Sequence, residues 1–478
     1  MKKTLKWFGI AVITPLLLFI ILAVLLYLPP VQNWAVKKAA AIASEKTGME
    51  ITIDHVRLAF PLDLGIDGFR AIKQNDSLPQ VRDTIADVRR LVVDIRLLPL
   101  LKKQVIIKEL AFQQAKINTN GFISDLRVKG ELDELRLSSK GIDLNKETAE
   151  INGARLSGAR LDIALSDTAA VDTTESAMKW IINADSICAS HSDLTIHMPG
   201  DTLNMGITLG QAVARQADID LGRGIYRVGS LSWHEGRLTY DDRYQPEVKG
   251  LDYNHIDMSH LALDIDSISY SPEGTSLLIR HAAMKEKSGL EITAATGGVR
   301  LDPSFSNIRL QGMTMRTPDS DIFAEADVDF NVADIQNPGK MHLRLNGQLG
   351  KQDIMRFLGD MPQKFVERYP NHPLVVKGSV DGNMQQMTFT GLDISLPTAL
   401  HLTLNGKAEN LTDMSRLKAD LRLNAQAQDL NFVTTLVDPK LSGNYRIPYG
   451  ITLDGTLKAD GTRYTTDLVA REGKGSVS

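Results

Sequence analysis

The sequence is short of cysteine, aromatic residues and net charge. Cys188 is the single cysteine in 478 residues, which excludes an internal disulfide framework and any thiolate zinc or iron–sulfur site within one chain. Aromatic residues make up only 6% of the chain, so aliphatic side chains supply most of the 43% that is hydrophobic. The net charge of −4 argues against a general nucleic-acid binder. The composition is therefore that of a large protein rich in aliphatic side chains.

Sequence motifs of catalysis are also missing. The chain has no phosphate-binding P-loop and no nucleophile-elbow serine pentapeptide. His255 and His260 are five residues apart, which does not match a zinc-protease motif. His191 and His197 could share one strand, but no third ligand lies nearby in the sequence. We therefore predict that the protein is not an enzyme and that it has no catalytic residue, cofactor or metal.

A long uncharged segment follows a basic N-terminal tip. Residues 1–6 carry three lysines, and no charged residue follows until Lys37. As a helix, residues 7–28 would extend over about 33 Å at ~1.5 Å per residue, enough for a bilayer core. A cleavable signal peptide is the alternative, but a proline pair follows the segment where a cleavage site should stand. We predict an uncleaved anchor whose N-terminus stays in the cytoplasm. The anchor residues within it are Trp7, Leu16, Phe19, Leu25 and Tyr27.

From residue 49 onward, apolar and polar residues alternate, which is typical of strands with one apolar and one polar face. The longest run covers residues 417–428. Shorter runs of the same kind occupy residues 324–330, 341–345, 400–404 and 451–454. The pattern predicts a long, mostly antiparallel sheet.

Glycine-containing pairs lie in or beside several of these runs, and we interpret them as turns. The pairs of this kind are Asn152-Gly153, Asn346-Gly347, Asp381-Gly382, Asn405-Gly406 and Asp454-Gly455. Gly222-Arg223-Gly224 and Gly297-Gly298 are also interpreted as turns, because no strand-to-helix context of a dinucleotide loop surrounds them.

Four segments, one before the alternating region and three within it, have other patterns. Residues 29–48 have apolar residues at helical spacing, and Gly48 is a suitable stop for an amphipathic helix. Residues 166–176 are polar and are interpreted as a loop. Residues 351–369 predict two short helices separated by Pro362, and residues 429–437 suggest a further helical turn.

So few helices cannot cover the apolar face of a sheet of this length. The sheet could close that face as a sandwich, as a solenoid or as a curled trough. A sandwich usually fills its core with large aromatic side chains, and this chain has few. The composition therefore favours the trough, with the other two geometries left open.

The first 130 residues show a distinctive order of segments. The basic tip, the apolar helix and the amphipathic stretch are followed by MEITIDHV at 49–56, LDLGIDGF at 62–69 and LLPLLKKQVIIKEL at 97–110. This order resembles the start of the AsmA-like superfamily, most closely its TamB-type members, the translocation and assembly module subunits of diderm bacterial envelopes. Beyond residue 130 the similarity is less specific and consists of the alternating strands and the Asn-Gly pairs.

The resemblance implies a single-pass protein of the cell inner membrane, with its bulk in the periplasm. It implies a trough of antiparallel strands, called a β-taco, whose apolar interior carries phospholipid acyl chains toward the outer membrane. TamB-type proteins are usually much longer, so we expect an N-terminal portion or a short relative. An older interpretation of the family implies help in outer-membrane protein and autotransporter assembly and secretion, with a TamA-type barrel partner in the outer membrane.

The expected fold is therefore mainly β: a transmembrane helix followed by an elongated, curled antiparallel sheet with a few short helices. The expected segments are a cytoplasmic tip (1–6), a membrane anchor (7–28), an amphipathic helix (29–48), an AsmA-like β module (49–165), a repetitive sheet (166–349), a short helical insertion (350–372) and a continuing sheet (373–478).

The function predicted from the apolar face and the anchor is a lipid conduit of envelope biogenesis. Its partners would be phospholipid acyl chains and the inner membrane, and not nucleic acid; the resemblance implies a TamA-type barrel as a further partner. The alternatives are a scaffold or chaperone whose sheet edge receives client strands, and a structural protein with a filled core. The residues predicted to line the groove are Leu343, Leu345, Leu402, Leu404, Leu417, Leu421, Leu423, Ile451 and Leu453.

Overall fold

The computed structural model is mainly β, as the alternation predicts, and it divides into two compact units, Met1–Gly222 and Arg223–Ser478. The residues that it describes are 30, 33–34, 37–38, 40–41, 44–45, 48–59, 63–74, 82–95, 106–119, 126–143, 146–165, 179–332, 334, 336–411, 413, 415–436, 447–472 and 475–477. Within these ranges no helix is long and apolar enough to cross a membrane. The predicted anchor residues Trp7, Leu16, Phe19, Leu25 and Tyr27, and the predicted polar loop at 166–176, lie outside the described residues.

The strands of the first unit form a mixed sheet. They are β1 (Glu50–Thr52), β2 (His55–Ala59), β3 (Asp63–Gln74), β4 (Arg82–Ile95), β5 (Ile107–Asn118), β6 (Leu126–Asp143), β7 (Thr148–Ser157), β8 (Arg160–Leu165), β9 (Ile181–His197) and β10 (Leu203–Asp220). Both β1 and β2 pair with β3, and an antiparallel meander continues to β6. β7 and β8 then pair with successive halves of β6, and β9 runs parallel to both of them before β10 returns antiparallel.

The strands of the second unit form an antiparallel meander in which each strand pairs with the next. They are β11 (Ile225–Asp242), β12 (His255–Ser271), β13 (Gly274–Glu286), β14 (Glu291–Leu301), β15 (Asn307–Arg316), β16 (Asp321–Asp329), β17 (Met341–Leu349), β18 (Leu374–Gly382), β19 (Gln386–Leu396), β20 (Leu400–Glu409), β21 (Lys418–Ala427), β22 (Ile451–Asp460), β23 (Arg463–Glu472) and β24 (Gly475–Val477). Their alternating residues account for the strands, because each strand then has one apolar and one polar face.

Bulges interrupt several of these ladders. In β11 and β12 the register shifts at Glu235, His260 and Ser267, and all three residues have positive φ angles. A bulge bends its strand and increases the local twist, so these strands are not flat ribbons.

The interpretation of most glycine pairs as turns was wrong. Asn152-Gly153, Asn346-Gly347, Asn405-Gly406, Asp454-Gly455 and Gly297-Gly298 all lie inside strands. Gly406 shows the reason: its φ is +128°, and a Cβ there would stand 2.1 Å from the carbonyl oxygen of Asp420 on the neighbouring strand. Glycine serves here to let two backbones approach each other inside the sheet. Asp381-Gly382 are the last two residues of β18 and lead into the β18–β19 hairpin, and Gly222-Arg223-Gly224 does lie at a turn.

The helices of the second unit lie where helical spacing predicts them. They are α1 (Lys351–Leu358) and α2 (Gln363–Arg368), and Pro362 stands just before α2. A 3₁₀ turn occupies Val433–Leu436, within the segment expected to be helical. Near the N-terminus, the described residues between 30 and 45 are helical, and Gly48 ends this stretch with a φ of +69° and a bond from its N–H to the Ser44 carbonyl oxygen of 2.9 Å.

Candidate functional site

The apolar face of the second unit carries unbroken rows of apolar side chains. Residues directly opposite each other in neighbouring strands share a face, so the strand register assigns each row without ambiguity. One row, which we name the Leu402 row, crosses every strand from β11 to β23. Its members are Trp233, Leu263, Ala282, Ala295, Met315, Ile322, Gly347, Val376, Ile394, Leu402, Ala425, Leu453 and Ala470. None of them carries a charge.

A second row, the Leu421 row, runs on the same face nearer the opposite ends of the strands. Its members, from β13 to β22, are Leu277, Val299, Leu310, Ala326, Leu343, Val380, Phe389, Gly406, Leu421 and Leu457. The nine spacings between its strands correspond to about 43 Å at ~4.8 Å each. The structure thus joins distant sequence runs into continuous apolar strips.

The strand register places eight of the nine predicted groove residues on this face. Leu402 and Leu453 belong to the Leu402 row, and Leu343 and Leu421 belong to the Leu421 row. By the same register, Leu345, Leu404 and Leu423 lie between the two rows and Ile451 lies at one end of β22. Leu417 directly precedes β21 and lies outside the paired residues.

These nine side chains are half-buried. In a filled sandwich core, leucines at the centre of an apolar face would lie fully buried against a second layer. Among the described side chains of β17, β20, β21 and β22, the fully buried residues of the apolar face are the alanines Ala408 and Ala459. The leucines of this face therefore retain accessible apolar surface.

The opposite face of the same strands is polar. One of its rows passes through Arg309, Asp327, His342, Asp381, Thr388, Lys407, Asp420 and Lys458. Opposite charges meet along it, as between Arg309 Nε and Asp327 Oδ2 at 2.8 Å and between Lys458 Nζ and Asp420 Oδ2 at 3.8 Å. Exposed pairs of this kind stabilise the fold only slightly. Because these charged side chains are exposed, they identify the solvated side of the sheet.

A helical cap covers one end of the apolar face. Phe365 and Tyr369 of α2 and Phe432 of the β21–β22 connection form a three-ring cluster with centroid separations of 5.4–5.8 Å. The cluster packs on Leu396 and Leu400, which continue the face past the Leu402 row. Burial raises the pKa of Tyr369, which agrees with a tightly closed cluster.

Buried hydrogen bonds hold α1 in place beside this cap. The Asp353 side chain is 1% exposed and accepts hydrogen bonds from Thr317 Oγ1, from Ser320 Oγ at 2.6 Å and from Arg356 Nη1 at 2.8 Å. At the other end of α1, the Leu251 N–H donates to the Arg356 carbonyl oxygen at 2.9 Å. The helix is therefore bonded to the β15–β16 turn and to the β11–β12 loop.

The β11–β12 loop and the start of β12 contain a buried pair, Asp252 and His255. Burial alone would raise the pKa of Asp252, but hydrogen bonds from the Val248 N–H, from His255 and from the Asn254 N–H lower it to about 2. The hydrogen bond to Asp252 raises the pKa of His255. We interpret this pair as a loop clamp, because Asp252 accepts hydrogen bonds from Val248, Asn254 and His255 of its own loop and the strand that follows.

The first unit has its own apolar face, and one part of that face is fully buried. Its Leu135 row consists of Val56, Ile66, Leu91, Phe112, Leu135, Leu156, Ala189 and Ala212. Beside this row, Val88, Ala115, Leu132 and Ala159 form a cluster whose members are at most 5% exposed.

Side chains able to bind a metal do not converge. Within the described ranges, no group of three or more His, Cys, Asp or Glu side chains could hold an ion. The histidines considered from the sequence are separate: His197 contacts Asp162 and Asn204, and His255 contacts Asp252. Cys188 is half-buried in β9.

Sequence reasoning missed the helical cap as part of the site. Helical spacing indicated α1 and α2, but nothing in their sequence told which end of the sheet they cover. No protein-family model matches the chain, and a comparison with curated proteins also finds no match.

Proposed function

We propose that the protein conducts phospholipids through an apolar groove, between the inner membrane that anchors it and the outer membrane. The observation that carries the proposal is the Leu402 row, a strip without charge that crosses every strand of the second unit from β11 to β23. In the proposed architecture the sheet curls into a trough around this strip.

Half-buried leucines suit this task better than buried ones. An acyl chain gains about 0.8 kcal/mol for each methylene that it buries, so an accessible aliphatic wall offers lipid a path through water. Leu343, Leu402 and Leu421 are accessible in this way. Transfer along such a wall needs no catalytic group, because no covalent bond changes.

The proposed location follows from the N-terminal segment. Residues 7–28 would anchor the chain as a single span with the basic tip in the cytoplasm, and the two units would stand in the periplasm. A TamA-type outer-membrane barrel is the proposed protein partner.

A photo-crosslinking amino acid at Leu421 tests the proposal in intact cells. We expect Leu421 to capture phospholipid, because its side chain lies on the apolar strip. Arg422 is the matched control, since it is the next residue of β21 and points to the polar face, where we expect no lipid adduct.

Other captured species would overturn the proposal. Adducts of nascent outer-membrane proteins at Leu421, without lipid, would favour the scaffold or chaperone function instead. Adducts only within the chain itself would favour a structural protein with a filled core.

A further inference from the structure

We infer that the sheet of the second unit is folded toward its apolar face along a crease, a line of β-bulges between the Leu402 row and the Leu421 row. The two rows then stand on the two facing walls of one groove. This inference rests on the proposed function where it treats that groove as the path of lipid, and it names the residues that curl the sheet.

Two bulges define the crease. In β15, Gln311-Gly312 stands opposite the single residue Glu325 of β16, and in β19, Thr390-Gly391 stands opposite the single residue Asn405 of β20. Each bulge lies between the residues that its strand contributes to the two apolar rows. The two strands are four strands apart, about 19 Å at ~4.8 Å per strand. A bulge bends its strand, so two bulges at the same height in one ladder bend the sheet along a line.

The surroundings of four glycines indicate the direction of the fold. Gly312 and Gly391 are exposed, and a Cβ added to either of them would have no atom within 4 Å. Gly297 and Gly378 lie opposite these two bulges, in strand positions of the apolar face. A Cβ at Gly297 would stand 2.7 Å from the Cα of Met313, and one at Gly378 would stand 2.6 Å from a Cα of β19. The polar side of the crease is thus open and its apolar side is crowded, as in a sheet folded toward the apolar face.

The first unit contains a crease of the same kind with a fully buried inner side. Strict alternation separates residues of one face by two or four positions, but here two apolar rows of β4, β5 and β6 lie three positions apart. The three steps run from Leu91 to Val88, from Phe112 to Ala115 and from Leu135 to Leu132. Gln114, inside the step of β5, has a φ of +49°. The second row of each step is at most 5% exposed, as expected on the concave side of a fold.

The creases have a sequence signature. Four segments share the order apolar, any, apolar, any, glycine, apolar, any, apolar, namely residues 64–71, 154–161, 308–315 and 387–394. Their glycines have φ angles between +56° and +68°. The apolar positions change from even to odd spacing at the glycine, so one extra residue there keeps all four apolar side chains on one face.

Paired spin labels on the two faces of β21 test the fold in the full chain. Cys188→Ser first removes the single cysteine. One variant then carries labels on the apolar face, at Ala419→Cys and Ala427→Cys, and a second carries them on the polar face, at Lys418→Cys and Gln426→Cys. Both pairs span eight residues, about 27 Å in a straight strand at ~3.4 Å per residue. Labels on the concave side of a bent strand converge and those on the convex side diverge, so double electron–electron resonance should find the apolar pair several ångströms closer than the polar pair.

Deleting the bulge glycines should open the fold. Without Gly312 and Gly391, both strands alternate regularly and match their neighbours in one unshifted register. We expect the two label distances to become equal and lipid capture at Leu421 to fall several-fold. The matched control replaces both glycines by asparagine, which tolerates a positive φ and keeps the bulges, so its label distances should not change. The two single deletions cover the case in which the double deletion does not fold.

The outcomes separate the crease from the proposed function. Equal distances for the two label pairs when both glycines are present, or a closer polar pair, would overturn the crease. A difference that persists in the deletion variants would also overturn it, because the bulges would then not cause the bend. Lipid capture at Leu421 together with equal label distances would overturn the crease and support the conduit. Unequal distances without lipid capture would support the crease and overturn the conduit.

Discussion

Both units contain strands with alternating apolar and polar residues, but their fully buried side chains are distributed differently. The Leu135 row of the first unit is made largely of bulky side chains, and its neighbours Val88 and Leu132 are only 3% and 5% exposed. The Leu402 row of the second unit includes several alanines and a glycine, and the leucines of both rows are half-buried. Full burial in the first unit is thus a property of the cluster beside the row, around Val88 and Leu132.

The difference teaches what decides burial on a sheet. A leucine on a strand buries its base against its strand neighbours, but its tip is covered only if other side chains or a second layer reach it. The first unit provides such cover around Leu132, and the second unit provides it at the cap and around Ala282 and Ala295. Substitutions at covered and at half-buried positions should therefore have unequal effects.

A buried arginine should give the largest difference. Leu132→Arg places an unpaired charge in the closed cluster of the first unit, and we expect a loss of roughly 3–5 kcal/mol of unfolding free energy. Leu421→Arg should cost about 1 kcal/mol or less, because the long side chain can extend to water, and under the proposed function it should abolish lipid transfer. Hydrogen exchange of the β6 and β21 amides measures the loss of unfolding free energy caused by each of the two substitutions. Equal destabilisation by the two substitutions would contradict an accessible face in the second unit.

A side chain at Gly406 should give the next largest effect. Its Cβ would meet the Asp420 carbonyl oxygen at 2.1 Å, and its φ of +128° is unfavourable for any other residue. We expect Gly406→Val to destabilise the second unit by about 2–3 kcal/mol and to leave the first unit unchanged, as measured by denaturant-dependent hydrogen exchange. Gly391→Asn is the control, since Gly391 has φ +56° and a Cβ added there would have no atom within 4 Å.

Loss of the Asp353 anchor should have a smaller effect, confined to the cap. Asp353→Asn weakens buried hydrogen bonds to Thr317, Ser320 and Arg356, with an expected cost of about 1–3 kcal/mol. Faster proteolysis of the 350–372 segment would measure it. Asp360→Asn is the matched control, because the Asp360 side chain is 82% exposed. Similar proteolysis rates for the two variants would show that the anchor is dispensable.

The smallest expected effect is a pH dependence limited to the β11–β12 loop. The pKa of Asp252 is about 2 against an ordinary 3.8, so its contribution is present above pH 3.8 and is lost as the pH falls through about 2. The pKa of His255 is raised from 6.5, so its contribution is present below pH 6.5 and is lost as the pH rises through the raised value. Protection of the Val248 and Asn254 amides from exchange should therefore be greatest between about pH 4 and 6.5.

Two variants separate the arms of that profile. Asp252→Asn should remove the loss of protection at low pH, and His255→Gln should remove the loss at high pH. A flat profile in the unmodified protein would contradict the clamp.

The candidate site was partly predictable from sequence. Period-two alternation placed Leu343, Leu402 and Leu421 on strand faces, and the structure puts them on one face. The prediction of turns at the Asn-Gly pairs was wrong, because glycine permits a turn and also a close approach of two strands. Gly406 lies where two strands approach closely. The parallel pairing of β9 with β7 had no sequence signal at all.

Local pattern by itself determined the strands, the two short helices and the separation of apolar from polar faces, because side-chain direction along a strand depends only on neighbouring residues. Only the tertiary structure decided which runs align into rows, where the cap lies, and which leucines become fully buried, such as Leu132 and Leu396, while Leu402 and Leu421 do not. Those properties depend on strand register and on contacts between residues far apart in the chain, which alternation within one strand does not encode.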